Sequence, residues 1–327
     1  MKQPPLLSAL ALVCAFATSV AAASAQAQSY PAGPVKIVVG TGPGASPDVI
    51  CRVVADQLAR LWGQQVVVLN QPGAGGAIAI RAAGNAAPDG ATLYFALASN
   101  FVALPELQAT FPFDVARDFV PIGYVGEHPM VVGASPPLGV NTLPELIALA
   151  KRRPGELNIA AGNRGSALHL TAERLRNTTG IDATLVNYPG APQAMADILG
   201  GRVHAIVDAV SGLAGSIRGG SIKPLAVASE RRLADFPDLP IVAETLPGFV
   251  AMGWFALLAP PKTPEPIARK ASDDLRTVLA QPELAQRFRE LGTYLRPMSP
   301  AELTTFIAEQ QQLWRPVIAE IVLKTPK

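Results

Sequence analysis

Short β-branched segments alternate with amphipathic segments along most of the chain, and this alternation restricts the possible folds more than any other feature. The first apolar segment is VKIVV at 35–39, and the apolar residues of 48–63 then recur at helical spacing. A second strand is predicted at 65–70, a helix at 77–87 and a third strand at 91–99. Repeated strand–helix–strand order predicts a parallel sheet with right-handed crossovers.

A second unit of the same kind begins near residue 142. Its predicted strands are 157–162, 183–188, 203–210 and 222–229, and its predicted helices are 142–155, 166–180 and 191–201. Helices are also expected at 263–280, 282–292 and 299–314, and Pro316 is expected to kink or end the last one. Two units of similar size predict an α/β protein of two lobes with a cleft between them. The crossings between the lobes are expected near 128–134 and 226–236.

The first residues have the layout of a secretory signal peptide. Lys2 precedes an apolar stretch, and small residues follow up to Ala-Ser-Ala and Ala-Gln-Ala. We expect cleavage after Ala25 or Ala27, which makes residues 1–27 the signal peptide of an exported protein. A membrane anchor is the alternative, but the apolar run is short and rich in Ala and Ser.

The charge balance and the remaining apolar segments narrow the possible partners. The formal net charge is +2 over 327 residues, which argues against nucleic acid as a partner. No later segment approaches the roughly 18 apolar residues that a membrane span needs. We expect a monomer without a cofactor.

The first strand is followed by GTGPGASPD, in which Gly40, Gly42 and Ala45 have the spacing of a dinucleotide-binding loop. Such a site usually has an acidic residue at the end of the second strand, where this chain has Asn70 and Gln71. A Gly-Lys-Ser/Thr sequence is also missing. The loop is therefore not interpreted as a nucleotide site.

Glycine-rich junctions of the same kind follow other predicted strands, at 70–77, 162–167 and 187–192. Each lies before a predicted helix, where free backbone N–H groups and the helix dipole can hold an anion without Lys or Arg. They can also be ordinary βα connections. Four junctions, with hydroxyl groups nearby, favour a carboxylate-sized ligand in the cleft; the hydroxyls belong to Ser46, Ser99, Ser166 and Tyr188.

The sequence offers little support for catalysis. His128, His169 and His204 are far apart, and no serine lies in a Gly-x-Ser-x-Gly sequence. The strongest enzymatic alternative is a cleft enzyme that uses His169 with Asp208 or Asp48. A sensory ectodomain is a second alternative. Arg164, inside the third junction, either meets a second acidic group of the ligand or points to solvent.

Several blocks together resemble a known family, the Bug-type periplasmic solute-binding receptors of tripartite tricarboxylate transporters. The blocks are GPGASPDVICR, VVVLNQPGAGGAIA with AAPDGATL, GSALHLTAERL, VNYPGAPQAMADILGGRVHAIVD and LLAPPKTPEPI. The resemblance implies a type II, flytrap-like binding-protein fold and a non-enzymatic periplasmic receptor. It also implies a small carboxylate as ligand and the membrane permease subunits of a tripartite transporter as partners.

The resemblance also implies which residues bind the ligand. They are Gly44, Ser46, Asp48, Gly75, Gly76, Ser99, Gly165, Ser166, His169, Tyr188, Gly190 and Asp208. We add Arg164, because it lies inside the third glycine-rich junction. One lobe is expected to comprise 28–128 and 236–327, and the other 129–235. The chain has GASPD where the family usually has Gly-Gly-Pro-Thr-Asp, so Ala45 and Ser46 alter the first loop and Pro47 replaces the usual Thr.

Overall fold

The computed structural model describes residues 30–324 apart from 109 and 297, so the expected signal peptide at 1–27 lies outside the described residues. Nine strands form one mixed sheet within this part of the chain. They are β1 (Val35–Val39), β2 (Val66–Asn70), β3 (Thr92–Leu97), β4 (Val120–Ala134), β5 (Leu157–Ala161), β6 (Ala183–Asn187), β7 (Ala205–Ala209), β8 (Lys223–Val227) and β9 (Met252–Ala259).

Twelve α-helices lie between and after these strands in the described residues. They are α1 (Ser46–Trp62), α2 (Ala77–Gly84), α3 (Ala98–Val102), α4 (Leu104–Leu107), α5 (Val115–Asp118), α6 (Leu143–Arg152), α7 (Ala167–Thr179), α8 (Ala191–Leu199), α9 (Val210–Arg218), α10 (Glu265–Leu279), α11 (Pro282–Glu290) and α12 (Pro300–Lys324). None of the described helices is long and apolar enough to cross a membrane.

The sheet consists of two halves that share the long strand β4. The strand order is β2-β1-β3-β9-β4-β7-β5-β6, with β8 also paired to β4. Strands β1, β2 and β3 are parallel to one another, as are β5, β6 and β7, whereas β4 and β9 run antiparallel to their neighbours. We call the part with β1, β2, β3 and β9 the first half, and the part with β5 to β8 the second half.

Strand β4 passes directly from one half to the other. Its residues up to Pro129 pair with β9, and its residues from Met130 onward pair with β7 and β8. At the change of partner, Ala228 N–H donates to Met130 O at 2.7 Å and Ala251 N–H donates to Ala228 O at 2.7 Å. Three chain segments therefore run side by side between the two halves.

Apolar residues cover both faces of each half of the sheet. In β1, Val35, Ile37 and Val39 belong to one buried cluster and Val38 to another, as the alternation of side chains along a strand requires. The second half shows the same division, with Val207 in one cluster and Ile206 in the other. Helices on both faces of the sheet give the layered α/β architecture that the sequence predicts, but the sheet is mixed rather than parallel, since β4 and β9 are antiparallel to their neighbours.

Some local expectations were wrong. The segment 120–134 was not predicted as a strand, although it forms the longest one in the described sheet. Its several Gly and Pro residues weaken the strand signal, and a long-range partner, β9, compensates for them.

Pro316 does not end α12, which continues to Lys324. The capping box of that helix is present, since Glu302 N–H donates to Ser299 Oγ and Ser299 N–H to Glu302 Oε2.

Leu257 and Leu199 provide a matched test of the core. Leu257 in β9 is fully buried, whereas Leu199 at the end of α8 is 70% exposed. Leu257→Ala is expected to lower the free energy of unfolding by about 2–5 kcal/mol, because it removes buried methyl groups and leaves a cavity. Leu199→Ala should change it by about 0.5 kcal/mol or less. Urea denaturation of the two variants measures this difference, and equal losses would contradict the assigned core.

Candidate ligand-binding cleft

The ends of several strands meet around a small cavity between the two halves of the sheet. The cavity encloses about 50 Å³. Its wall comes from the loop after β1, the end of β3, the loops after β5 and β6, and the end of β7. Strands β4 and β9 close the remaining side with His128, Met130 and Gly253. The carboxyl ends of parallel strands are where ligands bind in open α/β sheets.

Four helices of nine or more residues begin at this cavity. Ser46 is the first residue of α1, while Ser166, Gly190 and Ala209 are the N-cap residues of α7, α8 and α9. All four residues line the cavity. Free N–H groups and the positive ends of four helix dipoles therefore meet there, from both halves, and favour an anion.

Asp48 fixes the shape of the first loop rather than lining the cavity. Its carboxylate accepts hydrogen bonds from Gly44 N–H at 2.8 Å and from Asn70 Nδ2 at 2.8 Å, and it pairs with Arg52 at 2.9 Å. Burial alone would raise the pKa of Asp48, but these hydrogen bonds hold it below its usual value. The carboxylate thus ties the loop to α1 and to the end of β2.

The two halves contact each other directly at the cavity. Ser46 Oγ donates to Asp208 Oδ1 at 3.2 Å, and Gly42 N–H donates to Pro189 O at 3.3 Å. Gly212 in α9 leaves room for this contact, since a Cβ there would lie 2.5 Å from Ser46 Oγ. The loop after β1 and α9 therefore pack closely at this contact, where position 212 has no side chain.

Asp208 is the one acidic residue among the described residues that line the cavity, and Lys and Arg are absent from that set. Burial raises the pKa of Asp208 to about 6, even though hydrogen bonds from Ala209 N–H and the Ser46 hydroxyl lower it. The structure brings Asp208 to Ser46 and not to Asp48, so the two aspartates do not form a pair of catalytic acids.

His169 lies in α7, outside the described lining of the cavity, and holds the junction before that helix. Its Nδ1 accepts from Gly165 N–H at 3.3 Å, and its own backbone N–H donates to Ser166 Oγ at 3.2 Å. Nε2 faces Glu173 at 3.7 Å, and Arg176 pairs with Glu173 at 2.6 Å. Burial, with the nearby positive charges of Arg164 and Arg176, lowers the pKa of His169 to about 4. A neutral imidazole that holds the third junction explains this residue without catalysis.

The expected binding residues thus divide into two groups. Those that line the cavity are Ser46, Ser99, Ser166, Tyr188, Gly190 and Asp208. Those that lie outside its described lining are Gly44, Asp48, Gly75, Gly76, Arg164, Gly165 and His169. Most of the second group shape the junctions: Gly76, for example, has φ +100° and packs so closely that a Cβ would lie 2.6 Å from Asn100 Nδ2.

Arg164 and Tyr188 lie differently relative to the cavity. Arg164 is exposed to solvent, and only its backbone oxygen approaches Gly75 of the second junction. Tyr188 lines the cavity, but its hydroxyl donates to Asp197 Oδ2 at 2.6 Å.

Sequence reasoning missed Thr41 and His128 in the cavity wall. Thr41 lies in the loop GTGPGASPD, so its closeness to Gly42 and Ser46 in sequence could have indicated a place in the cavity wall. His128 had no such signal, because it lies on the unrecognised strand β4.

The arrangement of two α/β halves around a cavity at their strand ends defines a two-lobed solute-binding protein. The model of the tripartite tricarboxylate transporter receptor family matches residues 50–323. The chain is 36% identical over 314 residues to the protein BugT of Bordetella pertussis, covering 95% of this chain and 96% of BugT.

Solved structures agree with this assignment. MatC of Rhodopseudomonas palustris with bound malate has a TM-score of 0.83 and 28% identity, over 88% of this chain and all of that one. The periplasmic binding protein BugD has a TM-score of 0.84 and 30% identity, over 89% and 98% of the two chains. The chain belongs to the tripartite tricarboxylate transporter receptor family, which confirms the expected two-lobed fold and a non-enzymatic solute-binding receptor.

Asp208 should make stability depend on pH in a defined direction. Its folded pKa is about 6 against an ordinary value of 3.8, so its protonated form favours folding. This contribution is complete below about pH 4 and is lost as the pH rises through about 6. Asp208→Asn removes the titration but keeps an oxygen for Ser46.

The unfolding free energy of the wild-type protein, minus that of Asp208→Asn, should therefore fall by on the order of 3 kcal/mol between pH 4 and pH 7. Denaturant unfolding at several pH values measures this difference. A difference that stays constant would contradict the burial of an ionisable Asp208.

Proposed function

We propose that the chain is a periplasmic receptor that captures a small organic carboxylate between its lobes for uptake by a tripartite tricarboxylate-type transporter. The observation that carries the proposal is the meeting of four helix N-termini at one buried cavity that has no Lys or Arg in its described lining. Backbone N–H groups at Ser46 and Gly190, together with the Ser166 hydroxyl, would hold the carboxylate. The malate bound to the relative MatC supports this ligand class.

Closure of the lobes around the ligand follows from the position of the site. Ser46 and Ser99 belong to the first lobe, and Ser166, Tyr188 and Asp208 to the second, so one ligand touches both. A ligand that binds the closed arrangement more tightly shifts the population toward it. The closed form would then be delivered to the permease subunits, with the chain acting as a monomer exported by its signal peptide.

We place the lobe boundaries close to those that the sequence predicts, with one change. The crossing in β4 would fall at Pro129 and Met130, where the pairing partner changes. The chain would return to the first lobe near Ala251 instead of after residue 235, because Val242, Phe249 and Ala251 pack in a cluster of the second half. The second lobe would thus comprise residues 130–251.

A thermal-shift screen of the purified protein tests the ligand class. The protein is first unfolded and refolded to remove copurified ligand, and is then mixed with mono-, di- and tricarboxylic acids and with uncharged amides of the same size. An acid at 100 times its dissociation constant should stabilise the fold by about 2.7 kcal/mol, which raises the melting temperature visibly. If every acid leaves the melting temperature unchanged, the proposal is wrong.

Two glycines of α9 test closure. Gly212→Ala places a methyl group against Ser46 Oγ and 3.1 Å from Asp208 Oδ1, whereas a Cβ at Gly215 meets no atom within 4 Å. Gly212→Ala should weaken the binding of an acid identified by the screen by about tenfold or more. A loss of about 1.4 kcal/mol in the free energy of closure is enough to lower the affinity tenfold. Gly215→Ala should leave affinity unchanged. Calorimetric titration of both variants gives the result, and equal affinities would contradict the role of this contact in closure.

A further inference from the structure

His128 lies in the cavity wall without a role in the contacts described so far. It belongs to β4, just before the strand changes its pairing partner, and its ring stacks on Phe255 with centroids 4.1 Å apart and an interplanar angle of 10°. Gly253 makes room for the ring, since a Cβ there would lie 2.1 Å from His128 Nε2. The backbone and the aromatic neighbour thus hold the imidazole in one orientation.

The imidazole has unused hydrogen-bonding capacity. His128 is 6% exposed, and its Nδ1 is buried without a hydrogen-bond partner among the described residues. Burial lowers the pKa of His128 to about 3, so the ring is neutral, with one nitrogen as donor and the other as acceptor. His128 lines the cavity, so a ligand group there could form a hydrogen bond with a ring nitrogen that has no partner among the described residues.

The rest of the wall limits the charge of that ligand group. The described lining contains one acid, Asp208, no Lys or Arg, and mainly apolar side chains such as Leu97, Met130 and Ile206. One ligand carboxylate can be held by the helix N-termini. A second carboxylate would share the cavity with the acidic Asp208 and with no Lys or Arg in the described lining, which is costly.

We infer that His128 is a specificity-determining residue, which recognises an uncharged polar group of the ligand by a hydrogen bond and selects acids with a single carboxylate. The ligand class is then a small monocarboxylic acid with a hydroxyl, amide or other neutral hydrogen-bonding group. This inference rests on the proposed function, since it concerns the second group of a ligand whose carboxylate is already bound.

The test uses acids that share a carbon skeleton and differ only at the far end. The four-carbon set is butyrate, 4-hydroxybutyrate, succinamate, succinate and 4-aminobutyrate, and sets of three, five and six carbons cover other lengths. Calorimetric titration of the refolded wild-type protein is expected to give the hydroxyl or amide member an affinity about three- to tenfold above that of the alkyl member. The diacid and the amino acid should bind more weakly than the hydroxyl or amide member.

Variants separate recognition by His128 from a structural effect. His128→Phe keeps a ring against Phe255 but has no nitrogen, so the preference for the hydroxyl or amide member over the alkyl member should disappear. His128→Asn has an amide near the position of Nδ1 and should restore part of the preference. His204→Phe is the control, because it replaces another imidazole, which lies outside the described lining of the cavity, and it should leave the preference in place.

Each outcome decides between the inference and its alternatives. Equal affinity for the alkyl and hydroxyl members, or a preference that survives in His128→Phe, would overturn the role of His128. Tightest binding of the diacid or of the amino acid would overturn the neutral second group while leaving the proposed function intact. If no acid of any length binds, the proposed function fails as well.

Discussion

The antiparallel pairing of β4 with β9, followed by its pairing with β7, is the constraint on which the rest of the molecule depends. Because one strand serves both halves, the carboxyl ends of two separate groups of parallel strands face a common space. The loops after β1, β5 and β6, although far apart in sequence, then meet around the cavity. The three hydrogen-bonded segments at Met130, Ala228 and Ala251 connect the two halves.

The cavity is built electrostatically from backbone groups rather than from charged side chains. The N-termini of α1, α7, α8 and α9 supply positive potential. Because these helices are packed on the sheet, their N–H groups do not have to reorient to supply it. Asp208 provides an acidic side chain at one point of the wall, and its hydrogen bond with Ser46 connects the two halves. The described lining therefore combines the positive ends of helix dipoles with one acidic side chain.

Local signals explain which parts of this arrangement could be predicted from the sequence. Glycine and capping residues mark the junctions after β1, β2, β5 and β6, so Ser46, Ser166 and Gly190 were placed correctly beside helix starts. Whether a junction side chain faces the cavity depends on partners far away in sequence. Asp48 turns to Asn70, which lies on the next strand, and this choice is not visible in the local pattern. The contacts of Asp48 with Arg52 and of His169 with Gly165 and Glu173 are local, since each joins residues four apart.

The altered first loop shows how a local change can keep a family's architecture while modifying its cavity. Pro47 lies in the first turn of α1, where its missing N–H removes no helical hydrogen bond, and Ser46 takes the position from which a hydroxyl reaches Asp208. The same hydroxyl requires Gly212 on the opposite lobe, since any side chain there would meet it. The loop sequence and the glycine in α9 are therefore parts of one interface. A residue that enlarged either side would disturb this contact between the two halves.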